Sequence, residues 1–526
     1  SLAIGLIVGS FLYQIFTLII MHIFEASYRI KVSFSLKALV LTLFYVLVIY
    51  AFSMMRTKRK LRKMKIYDLI YEEKKNETMM IKNKRGNVWI FVASVIVGTF
   101  GTILLYDTFF HIDESKFFNS LCIASLCIVA SIYGFYMSLS SILIRLFVEN
   151  KKIKYKKDNL FLFRNLSAKM NTMSITLGTL GLLFTLTLVA VSVGMLFKGL
   201  FDEQASAITA FDISVVNSEN NFEIYREYIK DNLTIEGEKV YPIYRTGSKV
   251  IYDLLKNTSI GGSYWEDDPV MKLSDYKELR KMLGYSDVDL EEGHFLLQCI
   301  NGVKDAVETK KDLTLFINGK TFKYQKSYLE NFSLYGVNGA FYVVVIPDSE
   351  AEKLEVEQWV YVVDTKEETT EEDYNKMYEY INSLERDDNT APLWYLRVKG
   401  AILAQNRSTF TILSFSLFYG GLIFLCVAAT ILAVHQLSDA VKYRFRYGIL
   451  SNLGMSKPRI DGLILKQFLV YFGFPILLPI PMNVFVAVSV YQIFNAYVSR
   501  LVLTASLFTS IGMFLFVYVL YFIASY

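Results

Sequence analysis

Four histidines, four cysteines and one short acidic run are the residues whose types could do chemistry, and their spacing decides against most of it. His22, His111, His294 and His435 are scattered, and none stands at metal-ligand spacing from a cysteine or carboxylate. Cys122, Cys127 and Cys426 lie in apolar runs. Cys299 alone lies in polar sequence, so no disulfide can form within that polar region. Trp265, Glu266, Asp267 and Asp268 form an acidic run that could hold a cation, although a solvated acidic turn is the plainer reading. Residues 367–373 read as a solvated helix start. No GxxxxGK[ST] phosphate loop, HExxH pair or GxSxG elbow occurs. The expectation is a chain that is not an enzyme, binds no metal or cofactor of its own, and does not itself hydrolyse ATP.

With 53% hydrophobic and 15% aromatic residues in 526, only 8 prolines and a mean hydropathy of +0.34, the composition is too apolar for a soluble protein of this length. The net charge of +5 conceals an asymmetry: residues 201–400 carry 22 Lys/Arg against 38 Asp/Glu, a net −16, and the remainder carries 33 against 12, a net +21. An acidic and a basic compartment are implied.

Apolar runs long enough to cross a hydrocarbon core, which takes about 20 residues, recur at 1–25, 36–55, 88–110, 120–148, 172–199, 410–435, 463–491 and 501–526. The expected fold class is a polytopic α-helical membrane protein with eight visible spans and one α+β extracellular domain. Its organisation reads as a transmembrane pair (1–55), a basic loop (56–87), a second pair (88–148), an amphipathic segment (149–171), a stalk helix (172–199), the polar domain (200–404), a second stalk helix (405–436), a coupling segment (437–462) and a last pair (463–526). Pro475, Pro479 and Pro481 should kink or break the seventh span. The loops 56–87, 149–171 and 440–460 are all basic, so one orientation satisfies the positive-inside rule at each, with 201–400 outside and both termini inside. No soluble domain presents the basic loop to nucleic acid, which is not an expected partner.

Within 201–400, the runs 213–216, 313–317 and 341–346 read as strands, and Asn318-Gly319 as a hairpin turn to 321–324. Residues 222–229, 274–283 and 371–384 read as helices, with Ser274 a partial N-cap signal.

The stretch 436–475, QLSDAVKYRFRYGILSNLGMSKPRIDGLILKQFLVYFGFP, organises the rest. Lys442, Arg444 and Arg446 interleave with Val441, Phe445, Ile449 and Leu453, which recur at i, i+4, i+8 and i+12, one stripe of a helix. Gly454 can close that helix in the left-handed conformation, and Pro458 suits the start of the next. The expectation is a short helix across the inner mouth of the bundle, a glycine turn, and re-entry into the membrane. Residues 159–170, with Leu160, Phe163, Leu166 and Met170 at helical spacing and Arg164 off that stripe, read as an amphipathic helix at the inner surface.

The segment 438–460, SDAVKYRFRYGILSNLGMSKPRI, with KQFLVYFGFP at 466–475, resembles the cytoplasmic coupling segment of FtsX-like ABC-transporter permeases, in the bacitracin-export (BceB-like) variant of Gram-positive bacteria. KMKIYDLIYEEKKNE (63–77), FLFRNLSAKMNTMSITLG (161–178) and MKLSDYKELRKMLGY (271–285) resemble an inner loop, the start of the stalk helix and part of the outer domain of that subfamily. The resemblance covers most of the chain. It implies ten spans, with a further pair and a first coupling segment preceding Ser1. It also implies a dimer of a separate ATPase subunit holding ATP and Mg, gripping Lys442, Arg444, Arg446, Ile449, Leu450, Leu453, Gly454 and Met455, with Phe163, Arg164 and Leu166 at the start of the stalk. Resistance to cell-wall-targeting peptides of the bacitracin or lantibiotic type would follow, through the peptide or its lipid-carrier target, with signalling to a membrane histidine kinase. A non-transporting FtsX-type signalling or cell-division scaffold is the alternative; its fewer spans and smaller outer domain disfavour it.

Overall fold

A computed structural model describes residues 5, 7, 9–11, 13–15, 17–18, 36–62, 86–110, 116–149, 161, 173–256, 267–310, 313–384, 396–494 and 498–525. Most of the expected first span and of the loops 56–87 and 149–171 lies outside them. Before the polar region run α1 (Leu36–Leu61), α2 (Gly86–Phe110), α3 (Phe117–Glu149) and α4 (Ser174–Ile208). The polar region holds β1 (Ile213–Asn217), α5 (Glu223–Asn232), β2 (Ile235–Arg245), α6 (Val250–Lys256), β3 (Pro269–Lys272), α7 (Leu273–Met282), β4 (His294–Cys299), α8 (Asn301–Glu308), β5 (Thr314–Ile317), β6 (Lys320–Tyr328), β7 (Tyr342–Ile346), α9 (Asp348–Ala351), β8 (Glu355–Thr365), α10 (Glu371–Ser383) and β9 (Leu396–Val398). After it come α11 (Lys399–Asn452), α12 (Lys457–Gly473), α13 (Pro479–Phe494) and α14 (Arg500–Ser525).

Seven stretches of the described residues are helical, long and apolar enough to cross a membrane, the kink between α12 and α13 counted within one of them. The chain is a membrane-embedded helical protein with a separate α/β sheet region.

In the bundle α4 is central: 56% of its span is buried, more than in any other. Leu180, Phe184 and Leu188 of α4 pack with Ala428 and Leu432 of α11, Phe472 of α12, and Phe514 and Tyr518 of α14. Small residues let the helices close up, as membrane packing favours. A Cβ on Gly181 of α4 would run into the Tyr136 ring of α3. The seventh span breaks where its prolines require, with a 3-10 turn at Phe474–Ile476 between α12 and α13. A broken helix in lipid must find other donors for its carbonyls. Here the Tyr136 hydroxyl donates to the Pro475 carbonyl (2.7 Å) and the Tyr518 hydroxyl to the Phe472 carbonyl (3.0 Å).

The sheet has nine strands in the order β5-β6-β4-β7-β3-β2-β8-β1-β9, antiparallel except at β3–β7 and β4–β6. Both faces are covered, so its central strands are apolar on both sides. Ile213 and Val215 of β1 and Tyr361 and Val363 of β8 meet Tyr225 and Ile229 of α5 and Met377 and Ile381 of α10. The alternate residues Val216, Val360 and Val362 face the larger core with Tyr276, Leu279, Val303 and Val307. Asn318 and Gly319 take positive φ (51° and 77°) between β5 and β6, the expected hairpin. Thr370 and Asp373 form a reciprocal capping box at the start of α10. Ser274 is not the cap of α7: Lys272 holds that place, and the Asp348 carboxylate of α9 accepts the Ser274 N–H (3.0 Å) instead.

Candidate functional site

The expected short coupling helix is not a separate element. α11 runs unbroken for 54 residues, from the sheet to Asn452. No proline interrupts it, and a change from apolar to basic composition at residue 436 does not stop a helix whose backbone bonds continue. It ends where glycine permits. Gly454 has φ +91°, its N–H reaches the Ser451 carbonyl (3.0 Å) and the Met455 N–H reaches the Leu450 carbonyl (3.1 Å), a Schellman closure. Open space surrounds Gly454, so conformation alone requires glycine there. Ser456 then precedes α12, with Pro458 in its first turn.

This turn leaves apolar surface at the tip. Leu453 is 78% exposed and Ile449 45%. They stand four residues apart on one face. Met455 turns the other way and packs with Phe161 against Leu463 of α12. The Tyr447 hydroxyl donates to Gln467 Oε1 (2.6 Å), fastening the end of α11 to α12. Lys442, Arg444 and Arg446 lie on α11 within the same continuous helix; their side chains, and those of Val441 and Phe445, are outside the described ones. Phe163, Arg164 and Leu166 lie outside the described residues.

The opposite end of α11 grows directly out of the sheet. β9 pairs with β1 (Ile213↔Val398), and Lys399 begins the helix at the next residue. α4 enters the domain through β1, so both tethers meet on adjacent strands. Asp212 binds them together. Its Oδ1 faces Lys399 Nζ (3.1 Å), its carbonyl accepts the Lys399 N–H (2.9 Å), and its Oδ2 accepts the Thr365 N–H (3.0 Å). Gly400 lies against the Thr369 carbonyl, where a Cβ would collide. Nearby, Glu203 near the end of α4 accepts the Ser499 N–H (2.8 Å) and hydroxyl (2.6 Å) just before α14, a carboxylate at a helix N-terminus.

Between the end of α4 and the domain lies a cavity of about 360 Å³, bordered by Asp202, Glu203, Asn301, Glu330, Phe332 and Leu334 among others. Its carboxylates are already engaged. Glu330 takes a two-pronged ion pair from Arg280 (3.1 and 3.3 Å), which is 1% exposed and stacks over Tyr328 (4.7 Å). Although burial opposes it, that guanidinium holds the Glu330 carboxyl below its ordinary value. Arg280 gave no sign in the sequence beyond its place on α7. Cys299, also bordering the cavity, is buried, which pushes its thiol up to about 12 and leaves it unreactive.

The two described residues of the acidic run are engaged within the protein, and Asp268 is not solvated. Asp267 pairs with Arg245 (2.5 Å). Asp268 is fully buried and accepts the N–H groups of Ile251 (3.2 Å) and Tyr252 (3.0 Å) in the first turn of α6, the Ser248 hydroxyl (2.9 Å) and the Tyr342 hydroxyl (2.6 Å). It caps α6 from another segment. Burial nevertheless pushes its carboxyl above the ordinary value. Trp265 and Glu266 lie outside the described residues. Among the described residues no group of three or more His, Cys, Asp or Glu could hold a metal.

No protein-family model and no curated protein matches this chain. Among solved structures it is similar to the 1.5 Å crystal structure of a protein described as a lipoprotein from Bacillus anthracis, at 13% identity over 33% of this chain and 92% of that one, with a TM-score of 0.22. A likeness that slight carries no argument about fold or function.

Proposed function

We propose that the chain is the membrane-spanning permease subunit of an ATP-driven transporter of the FtsX-like, BceB-like kind, protecting cells against cell-wall-targeting peptides of the bacitracin or lantibiotic type. One observation carries the reading: a single helix, α11, joins the sheet domain at β9 to an exposed apolar tip at Ile449 and Leu453. At about 1.5 Å per residue its 54 residues span about 80 Å, well over the roughly 30 Å of a hydrocarbon core. The tip suits a groove in a partner that moves, in the manner of a helix recognised by its i, i+4 anchors. In this reading a dimer of ATPase subunits holds ATP and Mg, grips the basic and apolar residues from Lys442 to Met455, and tilts or slides α11. The sheet domain lies outside the plasma membrane and meets the peptide or its lipid carrier, and a membrane histidine kinase reads the same motion.

Replacing Leu453 by Asp puts a charge in the middle of the exposed patch without touching the bundle. The permease should still insert and fold, and the ATPase subunit should no longer co-purify with it. Undiminished co-purification would overturn the assignment of the tip.

A further inference from the structure

We propose that the junction between the sheet domain and α11 is a clasp that tightens in acid, in which Asp212 just before β1, Asp364 on the neighbouring β8 and Lys399 at the head of α11 hold the helix to the sheet edge more firmly at acid than at neutral pH. The register of β1 and β8 places Ile213 opposite Val363, so the preceding Asp212 stands opposite Asp364. Like charges directly opposed across a ladder repel. From just before β1 comes Asp212, from α11 Lys399 and from β2 Glu236, and these are the charges that act on Asp364. One cation therefore serves two opposed carboxylates, with a third nearby. Lys399 is engaged by Asp212 (3.1 Å), and the Asp212 backbone donates to the Asp364 carboxylate.

A proton on Asp364 removes the repulsion and leaves Asp212 and Lys399 as a matched pair. Burial, and then the Asp212 charge, push the Asp364 carboxyl up to about 6. When the junction opens, the group returns to the ordinary carboxylate value near 3.9. The closed junction therefore binds the proton more tightly than the open one, so closure strengthens as pH falls through about 6 and weakens as pH rises. Between about pH 7.5 and about pH 5 the closed-to-open ratio should rise about tenfold.

The test uses the full chain in detergent and hydrogen exchange of peptides covering Leu396–Val398 and the first turn of α11, where the Lys399 N–H is bound to Asp212. With intrinsic exchange rates divided out, protection in the parent protein should rise about tenfold on acidification over that range. Asp364→Asn should be insensitive to pH and as protected at neutral pH as the parent is in acid. Asp212→Asn removes the opposed charge and leaves Lys399 to Asp364, so it should shrink the rise in protection on acidification. A parent protein with no change in protection overturns the clasp whatever the variants do, and so does an Asp364→Asn protein that keeps the parent's response.

Discussion

Asp268→Ala tests whether the acidic run is a cap or a cation site. The carboxylate serves four donors, two of them first-turn amides of α6. Losing a helix cap costs about 1 kcal/mol, and each buried donor left without an acceptor costs a further 1 kcal/mol or so at the least, up to about 3. Tyr342, just 1% exposed, cannot turn to water for a replacement. With Tyr342 as the one donor cut off from water, the sum is about 2 to 4 kcal/mol, a large share of the roughly 5–15 kcal/mol that holds an ordinary domain together. Asp268→Asn keeps one acceptor oxygen and should cost less than half as much. Pulse proteolysis of the detergent-solubilised full chain across a urea series reads the unfolded fraction of the sheet domain directly. A midpoint for Asp268→Ala within error of the parent would refute the capping argument. So would stabilisation of the parent, and not of the variant, by millimolar calcium, which would return Asp268 to the role of a ligand.

Two further outcomes follow from the same geometry. Tyr136→Phe removes the donor to the Pro475 carbonyl at the helix break. It should lower resistance to SDS unfolding by about 1 kcal/mol, with SDS titration of the bundle as the check and an unchanged midpoint as the contrary result. In a protein whose four native cysteines are replaced by alanine, single cysteines at Asn232 and Glu367, both exposed on the domain, should react with an impermeant maleimide on intact cells. A cysteine at Lys75 should react after permeabilisation alone, and its labelling on intact cells would reverse the proposed orientation.

Much of the scaffold was legible in the sequence because hydropathy and backbone punctuation are local. Long apolar runs became helices, Gly454 ended one and Pro458 opened the next, and Pro475 lies in the break between α12 and α13. Asn318-Gly319 made its hairpin for the same reason. The extent of α11 was missed because hydrophobicity was taken as its boundary, whereas a helix stops where its backbone must turn. Asp268 was misread because the donors it serves, on α6 and β7, are brought to it by the tertiary fold. β2 carries Glu236, Glu238 and Lys239 and β8 carries Glu355 and Glu357 among their apolar residues, and their strand character came from pairing with each other. Arg280 is likewise intelligible only once Glu330 and Tyr328 close round it.

Because α11 is unbroken between β9 and the turn at Gly454, it fixes an angle as well as a distance. Removing one residue anywhere along it would rotate the Ile449–Leu453 face by about 100° relative to β1 and β9, and shorten the helix by only about 1.5 Å. Removing seven would restore the angle to within about 20° while taking out two turns. The helix thus constrains length changes by phase: the direction in which the tip points is set by the sheet edge about 80 Å away, and a change that spares every contact but breaks that phase would leave two intact ends facing the wrong way.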